Sequence, residues 1–547
     1  MNVFRCIGVF LVLVSIGVFA GAQSRESYGV LLTPQVRSGK VAATQHIADY
    51  QKDGKLNISL EDAVRLALEN NSNVRIQETQ IEAQKFVLLA AHQPFDPLLQ
   101  TIANANRYST PSSSELQGVG QSSSTALNSL TQFGQISYTE TFKTGTNIVG
   151  TISSTKSSTN SSFNFFNPYF DSTLGFQFTQ PLLRGAGVFA NTAPLVIARR
   201  TLQQSRASFQ AQVNDAIFQA VTQYWAVVQA RGTLQVEQDS LNLAQASYER
   251  DKRALELGAL PPLDIYRSQS EVAARRLQEI QGEYSLKQTE DDLRLTIGAN
   301  QDPAIHALAL NLTEKPEPAG ELESIDAEKA LQGALAGRPE VEATGDALAN
   351  DETSIRLAHN GLLPNLSLGG FYQSTGLGGN EYNLNTGALV SQGGFGSSFG
   401  QLTGFGFPGY GMSLTLNLPI RNRGAEANLG SALVSRSRDL YAARLTREEI
   451  TLQVNNAVRQ LEEAKMTLEA GKLSYDLAQK SLAAEQRKYE LGAETNFFVL
   501  DAQSRLAQAN LDLLQTQVNY QIALAAVQHA TGSLLKPYRV ENDDLTK

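Results

Sequence analysis

Residues 243–259 read LAQASYERDKRALELGA, and residues 477–493 read LAQKSLAAEQRKYELGA. Without any gap, the two stretches share the opening Leu-Ala-Gln, the serine that follows two positions later and the closing Glu-Leu-Gly-Ala. Both are rich in good helix formers, and the glycine near each end suits the residue just past a helix. The repeat therefore predicts two copies of one helical element, each ending at a turn.

The helices that reach these turns are predicted to be very long. Proline is absent from Leu195–Leu260 and from Ile420–Lys536. In these windows apolar residues recur every seven positions, as they do at a coiled-coil seam: Val213, Ala220, Val227, Leu234, Leu241, Tyr248 and Leu255, then Val454, Leu461, Leu468, Tyr475, Leu482 and Tyr489. We expect helices of roughly 60–67 residues, about 100 Å long at about 1.5 Å per residue.

A shorter return helix is predicted after each turn. The first runs to about Ile297 and the second to about Thr531, and the second carries its own seven-residue ladder, Val499, Leu506, Leu513, Tyr520 and Val527. Each long helix and its return helix thus form a hairpin. The N-terminal parts also repeat, because a shift of 267 residues brings Ala67-Leu68 onto Ala334-Leu335 and Ala91-His92 onto Ala358-His359. The chain is predicted to be a tandem duplication.

Between the helices of each half lie polar segments with a period of two. Met412, Leu414 and Leu416 alternate with Ser413, Thr415 and Asn417, and Leu174, Phe176 and Phe178 alternate in the same way. This pattern fits strands in an outer-membrane barrel or in an ordinary amphipathic sheet. A sheet of so few strands has exposed edges unless other chains close it.

The first half has additional residues in this region. A turn at Lys143–Thr146 separates two predicted strands, Gln135–Phe142 and Asn147–Thr155. They are either two extra membrane strands or an ordered extracellular extension, and the sequence leaves both readings open.

The N-terminus and the composition indicate an exported protein. A basic start, a short apolar run and Ala20-Gly21-Ala22 predict a signal peptide over 1–22, which contains the single cysteine, Cys6. The mature chain then has no thiol, and its five histidines show no ligand spacing, so no metal site is predicted. The net charge of −9, with no basic aromatic patch, argues against a nucleic-acid partner.

Two short motifs resemble enzyme signatures by letters only. Gly404–Gly409 follows a loop and precedes a strand, whereas a dinucleotide motif needs a strand before it and a helix after it. Gly396–Gly400 lies in low-complexity sequence without the context of a nucleophile elbow. No enzyme and no cofactor are predicted.

The ordered set of motifs resembles the TolC-like outer-membrane factors, the outer-membrane efflux proteins, over essentially the whole mature chain. The resemblance rests on Ile58–Asn71, on Gln180-Pro181-Leu182-Leu183-Arg184-Gly185, on Tyr224-Trp225 and on the two Leu-Gly-Ala turns. It implies a mainly α fold with a β-barrel part. The duplicated long hairpins would form a periplasmic α-barrel, and the strands would pool across a homotrimer into an outer-membrane β-barrel in the lipid.

The resemblance also implies a function. The trimer would export small molecules (drugs, metals) or secreted proteins, and it would dock onto a periplasmic adaptor and an inner-membrane pump. The expected organisation is a signal peptide (1–22), an N-terminal linker (23–55), the first repeat (56–300), a linker (301–324), the second repeat (325–532) and a C-terminal tail (533–547). A periplasmic adaptor and a structural coiled-coil envelope protein are the alternatives.

Site residues are carried over from the resemblance one by one. The hairpin tips that would bind the adaptor map to Leu257-Gly258 and Leu491-Gly492. Acidic residues just past the turns, where the family narrows the closed pore, map to Asp264 and Asp501. Three copies of Asp501 would form a carboxylate ring that disfavours anions, whereas an isolated copy would be a solvated helix carboxylate. Phe498 occupies another aperture position and suggests an apolar constriction.

Overall fold

The computed structural model describes residues 46–535, apart from positions 53, 113–116, 118–125, 259–262, 264, 302, 319–321, 385 and 492. The predicted signal peptide (1–22) and nearly all of the C-terminal tail lie outside the described residues. Two of the expected site residues, Asp264 and Gly492, also lie outside them.

The first repeat contains helices, then strands, then a long helical hairpin. Its elements are β1 (Gln51–Lys52), β2 (Lys55–Ile58), α1 (Leu60–Asn70), α2 (Ser72–Ala90), β3 (Leu98–Pro111), β4 (Ala126–Thr141), β5 (Asn147–Thr159), β6 (Phe166–Pro181), α3 (Gly187–Glu256) and α4 (Ile265–Thr296). The segment between the repeats contains α5 (Pro303–His306) and β7 (Ala309–Leu312).

The second repeat follows the same order with fewer strands. Its elements are α6 (Ala327–Gly337), α7 (Pro339–Leu362), β8 (Asn365–Tyr382), β9 (Leu389–Ser391), α8 (Phe395–Thr403), β10 (Phe407–Asn417), α9 (Arg423–Glu490) and α10 (Asn496–Ala530). Helices α6 and α7 begin 267 residues after α1 and α2, and α9 ends 234 residues after α3. Both shifts are those of the sequence repeat, so equivalent helices of the two halves begin and end at the spacing that a duplication predicts.

Equivalent side chains start the first helix of each repeat. The Ser59 hydroxyl accepts a hydrogen bond from the Asp62 backbone N–H at 3.1 Å, and the Asp326 carboxylate accepts one from the Glu328 backbone N–H at 3.0 Å. Such N-caps satisfy backbone donors that the helix leaves unpaired. They fix where α1 and α6 begin.

The two long helices have 70 and 68 residues, or about 105 Å at about 1.5 Å per residue. Helix α3 begins at Gly187, earlier than the proline-free window, so that Pro194 lies inside it near its start. The predicted seam is confirmed, because its central positions are buried in both helices: Val213, Ala220, Val227, Val454, Leu461 and Leu468.

Both next to the strands and towards the hairpin turns, the chain is a row of four helices. Next to the strands, α2 packs on α3, α3 on α7, and α7 on α9. Towards the hairpin turns, the return helices replace α2 and α7 in the row. There α4 packs on α3, and α10 packs on both α3 and α9. The long helices α3 and α9 therefore run the whole length, and shorter helices fill the spaces beside them.

A small sheet and a compact core lie at the waist of the helices. Strand β2 pairs in parallel with β7, so that Lys55 lies opposite Ala309 and Ile58 opposite Leu312. The Tyr224 hydroxyl, fully buried beneath this sheet, bonds to the Glu314 carboxylate. Burial and that carboxylate raise the pKa of the Tyr224 phenol well above its usual value. The waist thus ties the start of the first repeat to the segment between the repeats.

One antiparallel sheet lies at the end of the helix row, with the strand order β10-β8-β6-β5-β4-β3 and with β9 beside β8. Strand β5 pairs with β4 along its whole length, from Asn147 opposite Thr141 to Thr159 opposite Ser129. The additional segment of the first half is therefore part of the same sheet as the other strands. Its strands also reach into stretches whose polar composition gave no strand signal.

We predict that Gly471→Val destabilises the protein. Gly471 is buried on α9, and a Cβ there would lie 2.9 Å from the Thr516 Oγ1 on α10. A branched side chain must push the two helices apart, a strain that costs about 1–3 kcal/mol. Thermal unfolding of the detergent-extracted protein, followed by circular dichroism at 222 nm, should show a midpoint several degrees lower.

Gly430→Val on the same helix is the matched control, since nothing lies within 4 Å of a Cβ at Gly430. Equal midpoints for the two variants would contradict close packing of α9 on α10.

Candidate functional site

The large sheet has one apolar face. Residues paired across antiparallel strands share a face, and one such row crosses all six strands in the order Tyr410, Tyr372, Phe176, Gly150, Tyr138, Leu99. Neighbouring rows on this face add Ile136, Ile148, Ile152, Leu174, Phe178, Leu368, Met412, Leu414 and Leu416. Many of these side chains are exposed, including Met412 at 76% and Tyr410 at 79%.

The height of this apolar band suits a bilayer. Along β10 it extends over nine residues, from Leu416 to Pro408, and the eight steps between them cover about 27 Å along the strand at about 3.4 Å per residue. A strand tilted by about 40° would then cover about 20 Å of membrane thickness, near the roughly 25 Å band of outer-membrane barrels.

Polar residues predominate on the opposite face of the sheet. It carries the alternate residues of the same strands: Gln100, Asn104, Gln135, Ser137, Thr139, Thr151, Ser153, Thr155, Asp171, Thr173, Gln177, Thr179, Ser367, Gln373, Thr375, Ser413 and Thr415. The large apolar side chains on this face are Leu98, Ile102, Tyr108, Leu127, Phe133, Val149, Phe371, Leu377 and Phe407. A sheet with one exposed apolar face and one polar face can separate lipid from water.

Helix α8 lies on the apolar face at the end far from the long helices. The sheet residues beneath it are small: Ser172, Ser374, Gly376 and Gly378. The Ser374 hydroxyl donates to the Leu402 backbone oxygen at 3.1 Å, and the Ser398 hydroxyl bonds to that of Ser172. Phe395 and Phe399 remain 40% and 39% exposed on the helix. The helix thus continues the apolar surface where the strands carry no large side chains.

The sheet has two open edges. Within the described part of the chain, β3 pairs only with β4, and β10 only with β8. Both edge strands therefore carry unpaired backbone N–H and C=O groups, which are templates for pairing with another chain.

At the opposite end of the molecule, the two hairpin turns present exposed leucines. Leu257 is 84% exposed and Leu491 is 78% exposed. Gly258 has φ +74°, a left-handed conformation that glycine adopts without strain, and its N–H donates to the Leu255 oxygen at 3.0 Å. Leucine side chains held out from helix ends in this way form an apolar contact surface.

The expected aperture residues lie just beyond the second turn. Asp501 is 42% exposed, and its Oδ2 lies 2.8 Å from the Nε of Arg505, one helical turn further on. Phe498 is 44% exposed, and its ring meets that of Phe497 edge to face with centroids 5.4 Å apart. The charge of Asp501 is therefore partly offset within its own helix.

A buried carboxylate that sequence reasoning missed ties the tip together. Asp251 on α3 is only 2% exposed, and its Oδ2 accepts hydrogen bonds from the Ser268 hydroxyl on α4 and from the Asn496 Nδ2 on α10, the latter at 2.8 Å. It thus joins the first hairpin to the first turn of α10. The signal in the sequence was its spacing, because Asp251 continues the buried positions Ala244 and Ser247 along one helix face.

A second link crosses between the two long helices at this level. The Arg250 guanidinium lies over the Tyr489 ring at 5.6 Å from its centroid, and it donates to the Ser247 hydroxyl at 3.1 Å. A cation over an aromatic ring is stabilised by the ring quadrupole. The tips of the two hairpins are held together by both links.

Comparison with known proteins decides the family of this chain. The family model described as "Outer membrane efflux protein" matches residues 147–299 and 330–533, which is more than half of the chain. The chain belongs to the outer membrane efflux protein family. Outer membrane efflux proteins are channels and not enzymes, and this chain is accordingly placed in the outer membrane.

Individual relatives agree with this family. The chain is 25% identical to the outer membrane protein TolC of Vibrio cholerae over 370 residues, covering 66% of this chain and 76% of that protein. It is 25% identical to the pyoverdine export outer membrane protein OpmQ of Pseudomonas putida over 348 residues, covering 61% of this chain and 65% of OpmQ.

Solved structures show the same fold. The Campylobacter jejuni CmeC outer membrane channel superimposes with a TM-score of 0.61 at 16% identity, covering 95% of each chain. VceC from Vibrio cholerae does so with a TM-score of 0.60 at 14% identity. Family membership sets aside the adaptor and the structural coiled-coil alternatives.

The described residues of this efflux protein also lack two features. Among its described helices, none combines the length and the apolar character needed to cross a bilayer. The same residues contain no cluster of three or more His, Cys, Asp or Glu side chains that could hold a metal ion.

We predict that Asp251→Ala loosens the hairpin tip. The variant leaves the buried Ser268 hydroxyl and the Asn496 amide without their acceptor, and a hydrogen bond to a charged group contributes about 1.5–3 kcal/mol. Amide hydrogen exchange over the last turns of α3 and the first turn of α10 should quicken by about tenfold or more, as about 1.4 kcal/mol gives.

Asp476→Ala is the control, because Asp476 is an exposed carboxylate of α9 that pairs with Lys480 one turn away. Exchange at the tip that is equally slow in both variants would show that Asp251 does not hold the hairpins together.

Proposed function

We propose that three copies of this chain form a continuous export channel, with a barrel in the outer membrane and a helical tunnel across the periplasm. The channel performs no chemistry. It conducts cargo delivered by an inner-membrane pump, which supplies the energy, and it contacts a periplasmic adaptor through its hairpin tips.

The division of the large sheet into an apolar and a polar face carries this proposal. The apolar face faces lipid, and the polar face lines water, as in outer-membrane barrels. The bilayer core offers no water to the open edges of β3 and β10, so their backbone groups must pair with other strands. Pairing β10 of one copy with β3 of the next satisfies both edges at once and closes the sheet.

The helices supply the periplasmic part. The row of four helices is only one layer thick. Both faces of the row are therefore open to the surroundings. Three such rows side by side would enclose a tunnel with a length set by α3 and α9, about 100 Å at about 1.5 Å per residue. A span of that length suits a conduit between two membranes.

The tips are the proposed adaptor contact. Leu257 and Leu491 lie on equivalent turns of the two repeats, so each chain offers two similar apolar projections. Brought together at one end of the three copies, these leucines would form a larger apolar patch, and such patches mark interaction sites. A helical adaptor with an apolar stripe would cover them.

The aperture is proposed to lie where the three copies meet at Asp501 and Phe498. Arg505 beside each Asp501 makes the ring one of alternating charges, so its cation preference is weaker than that of bare carboxylates. Phe498 adds an apolar edge to the constriction. In the sequence, Asp264 follows the first turn at the position that Phe498 has after the second turn.

We propose that the channel exports cargo, and we assign no single class of cargo to it. OpmQ is named for pyoverdine export, which favours small molecules for this chain as well. A tunnel of the same architecture could also conduct secreted proteins.

We predict that single-channel recordings of the purified protein in planar bilayers show small, cation-preferring channels. Asp501→Asn leaves Arg505 unpaired and should lower the cation-to-anion permeability ratio. The expected change is roughly two- to fivefold, the factor that about 0.4–1 kcal/mol of charge interaction gives in water.

Arg505→Gln is the matched variant and should raise the same ratio, because it removes the opposing charge. A ratio unchanged in both variants would remove Asp501 from the aperture while leaving the channel intact. A protein that forms no channel would overturn the proposed function.

We predict that Leu257→Asp combined with Leu491→Asp prevents adaptor binding without affecting assembly. Charging two central apolar contacts should weaken the affinity at least about 30-fold, as a loss of about 2 kcal/mol at a contact hot spot gives. Biolayer interferometry between the detergent-extracted channel and its purified adaptor measures this. Leu384→Asp, at the far end beyond β8, should bind like wild type, and equal loss in both would argue against docking at the tips.

A further inference from the structure

The first repeat contributes one hairpin more than the second to the large sheet. Strand β3 follows α2 as β8 follows α7, and β6 precedes α3 as β10 precedes α9. Strands β4 and β5 have no counterpart in the second repeat, apart from the three-residue β9 and the short helix α8. The pair β4–β5 is therefore an insertion into the duplicated plan.

This hairpin spans the sheet from end to end. Strand β4 has 16 residues and β5 has 13, compared with 16 in β6 and 11 in β10. Pairing continues from Leu98 opposite Thr139 to Pro111 opposite Ala126 on one side of the hairpin, and from Asn147 opposite Thr179 to Ser157 opposite Tyr169 on the other. Nothing in this register sets the hairpin apart from the other strands.

The turn of the hairpin is fastened to the start of α3. The Gly187 N–H donates to the Thr144 oxygen at 3.2 Å, and Thr146 bonds to the Gln180 side chain. Gly145 has φ +86°, and a Cβ on it would lie 2.7 Å from the Gly185 oxygen, so only glycine fits. The turn lies at the end of the sheet that adjoins the helices. Strands β4 and β5 extend over the same part of the sheet as β3 and β6 beside them.

The two faces of the hairpin match those of the rest of the sheet. Ile136, Tyr138, Ile148 and Ile152 point to the apolar face, and their neighbours on the polar face include Gln135, Ser137, Thr151 and Ser153. In an extracellular extension, both faces of the hairpin would contact water. A row of large apolar side chains on one face would then not be buried in lipid. The hairpin is built to face lipid on one side and water on the other.

The hairpin also brings the sheet to the width of the helices below it. Six strands spaced by about 4.8 Å and tilted by about 40° cover an arc of about 38 Å, whereas four strands would cover about 25 Å. The four helices α2, α3, α7 and α9 that adjoin the sheet, spaced by about 9–10 Å, cover about 36–40 Å. The width of the six-stranded sheet therefore matches the width of the helical wall.

We infer that this channel has an eighteen-stranded membrane barrel as wide as its helical tunnel, so that the barrel does not narrow the path of the cargo. The inference rests on the proposed trimer, in which six strands from each of three copies make eighteen. The backbone diameter is then about 36 Å, against about 24 Å for twelve strands, since diameter grows nearly linearly with strand number.

A cryo-electron microscopy map of the full-length detergent-extracted protein tests the inference directly by counting strands. We expect eighteen strands in wild type. A variant lacking residues 113–160, which joins Ser112 to Ser161, should keep β3, β6, β8 and β10 and form a barrel of twelve strands, narrower by a factor of about 1.5. A variant lacking only 115–122 of the β3–β4 connection should keep the wild-type diameter.

The outcomes separate this inference from the proposed function. A trimeric channel whose wild-type barrel has twelve strands, with β4–β5 outside it, would overturn the wide barrel and leave the channel. A protein that is not trimeric would overturn both. Should the deletion variant fail to fold, the strand count of the wild type still decides.

Discussion

The apolar seam along the two long helices is the interaction on which the rest of the structure depends. Val454, Leu461 and Leu468 on α9 are buried together with Tyr520 and Val527 on α10, and α3 buries Val213, Ala220 and Val227 in the same way. Because the seam repeats every seven residues, it can be extended to any length without a thicker core. A chain of one-layer thickness can therefore reach about 105 Å at about 1.5 Å per residue.

A seam of this kind leaves much of each helix uncovered, and the sheet leaves two edges open. These are costs that a single chain cannot remove by folding alone. They explain why so many large apolar side chains remain exposed on an ordered molecule, from Met412 and Leu414 on the strands to Leu452 and Leu473 on α9. The surfaces are arranged by destination: the strand face suits lipid, the tip leucines suit a helical partner, and the remaining exposed helix residues suit neighbouring copies.

Two carboxylates near the hairpin tips have contrasting surroundings. The buried Asp251 acts as an acceptor shared by three helices, so it holds the two hairpins in register where no large apolar core remains. Asp501, by contrast, is exposed and balanced by Arg505, so its contribution to the surrounding potential is modest. The two carboxylates therefore have different roles. Asp251 fixes the geometry of the hairpin tips, and Asp501 contributes to the electrostatic potential around them.

The sequence by itself determined the repeated plan: two long helices, their return helices, the turns at Leu257 and Leu491, and strands with one apolar face. These features depend on periodicity, proline placement and glycine at a turn, which are local properties of the chain. The structure alone decided that β4 and β5 join the same sheet, that β2 pairs with β7 across 254 residues, and that Asp251 meets Ser268 and Asn496. Such contacts depend on which distant segments meet, and a short strand or a single carboxylate carries too little local preference to reveal its partner.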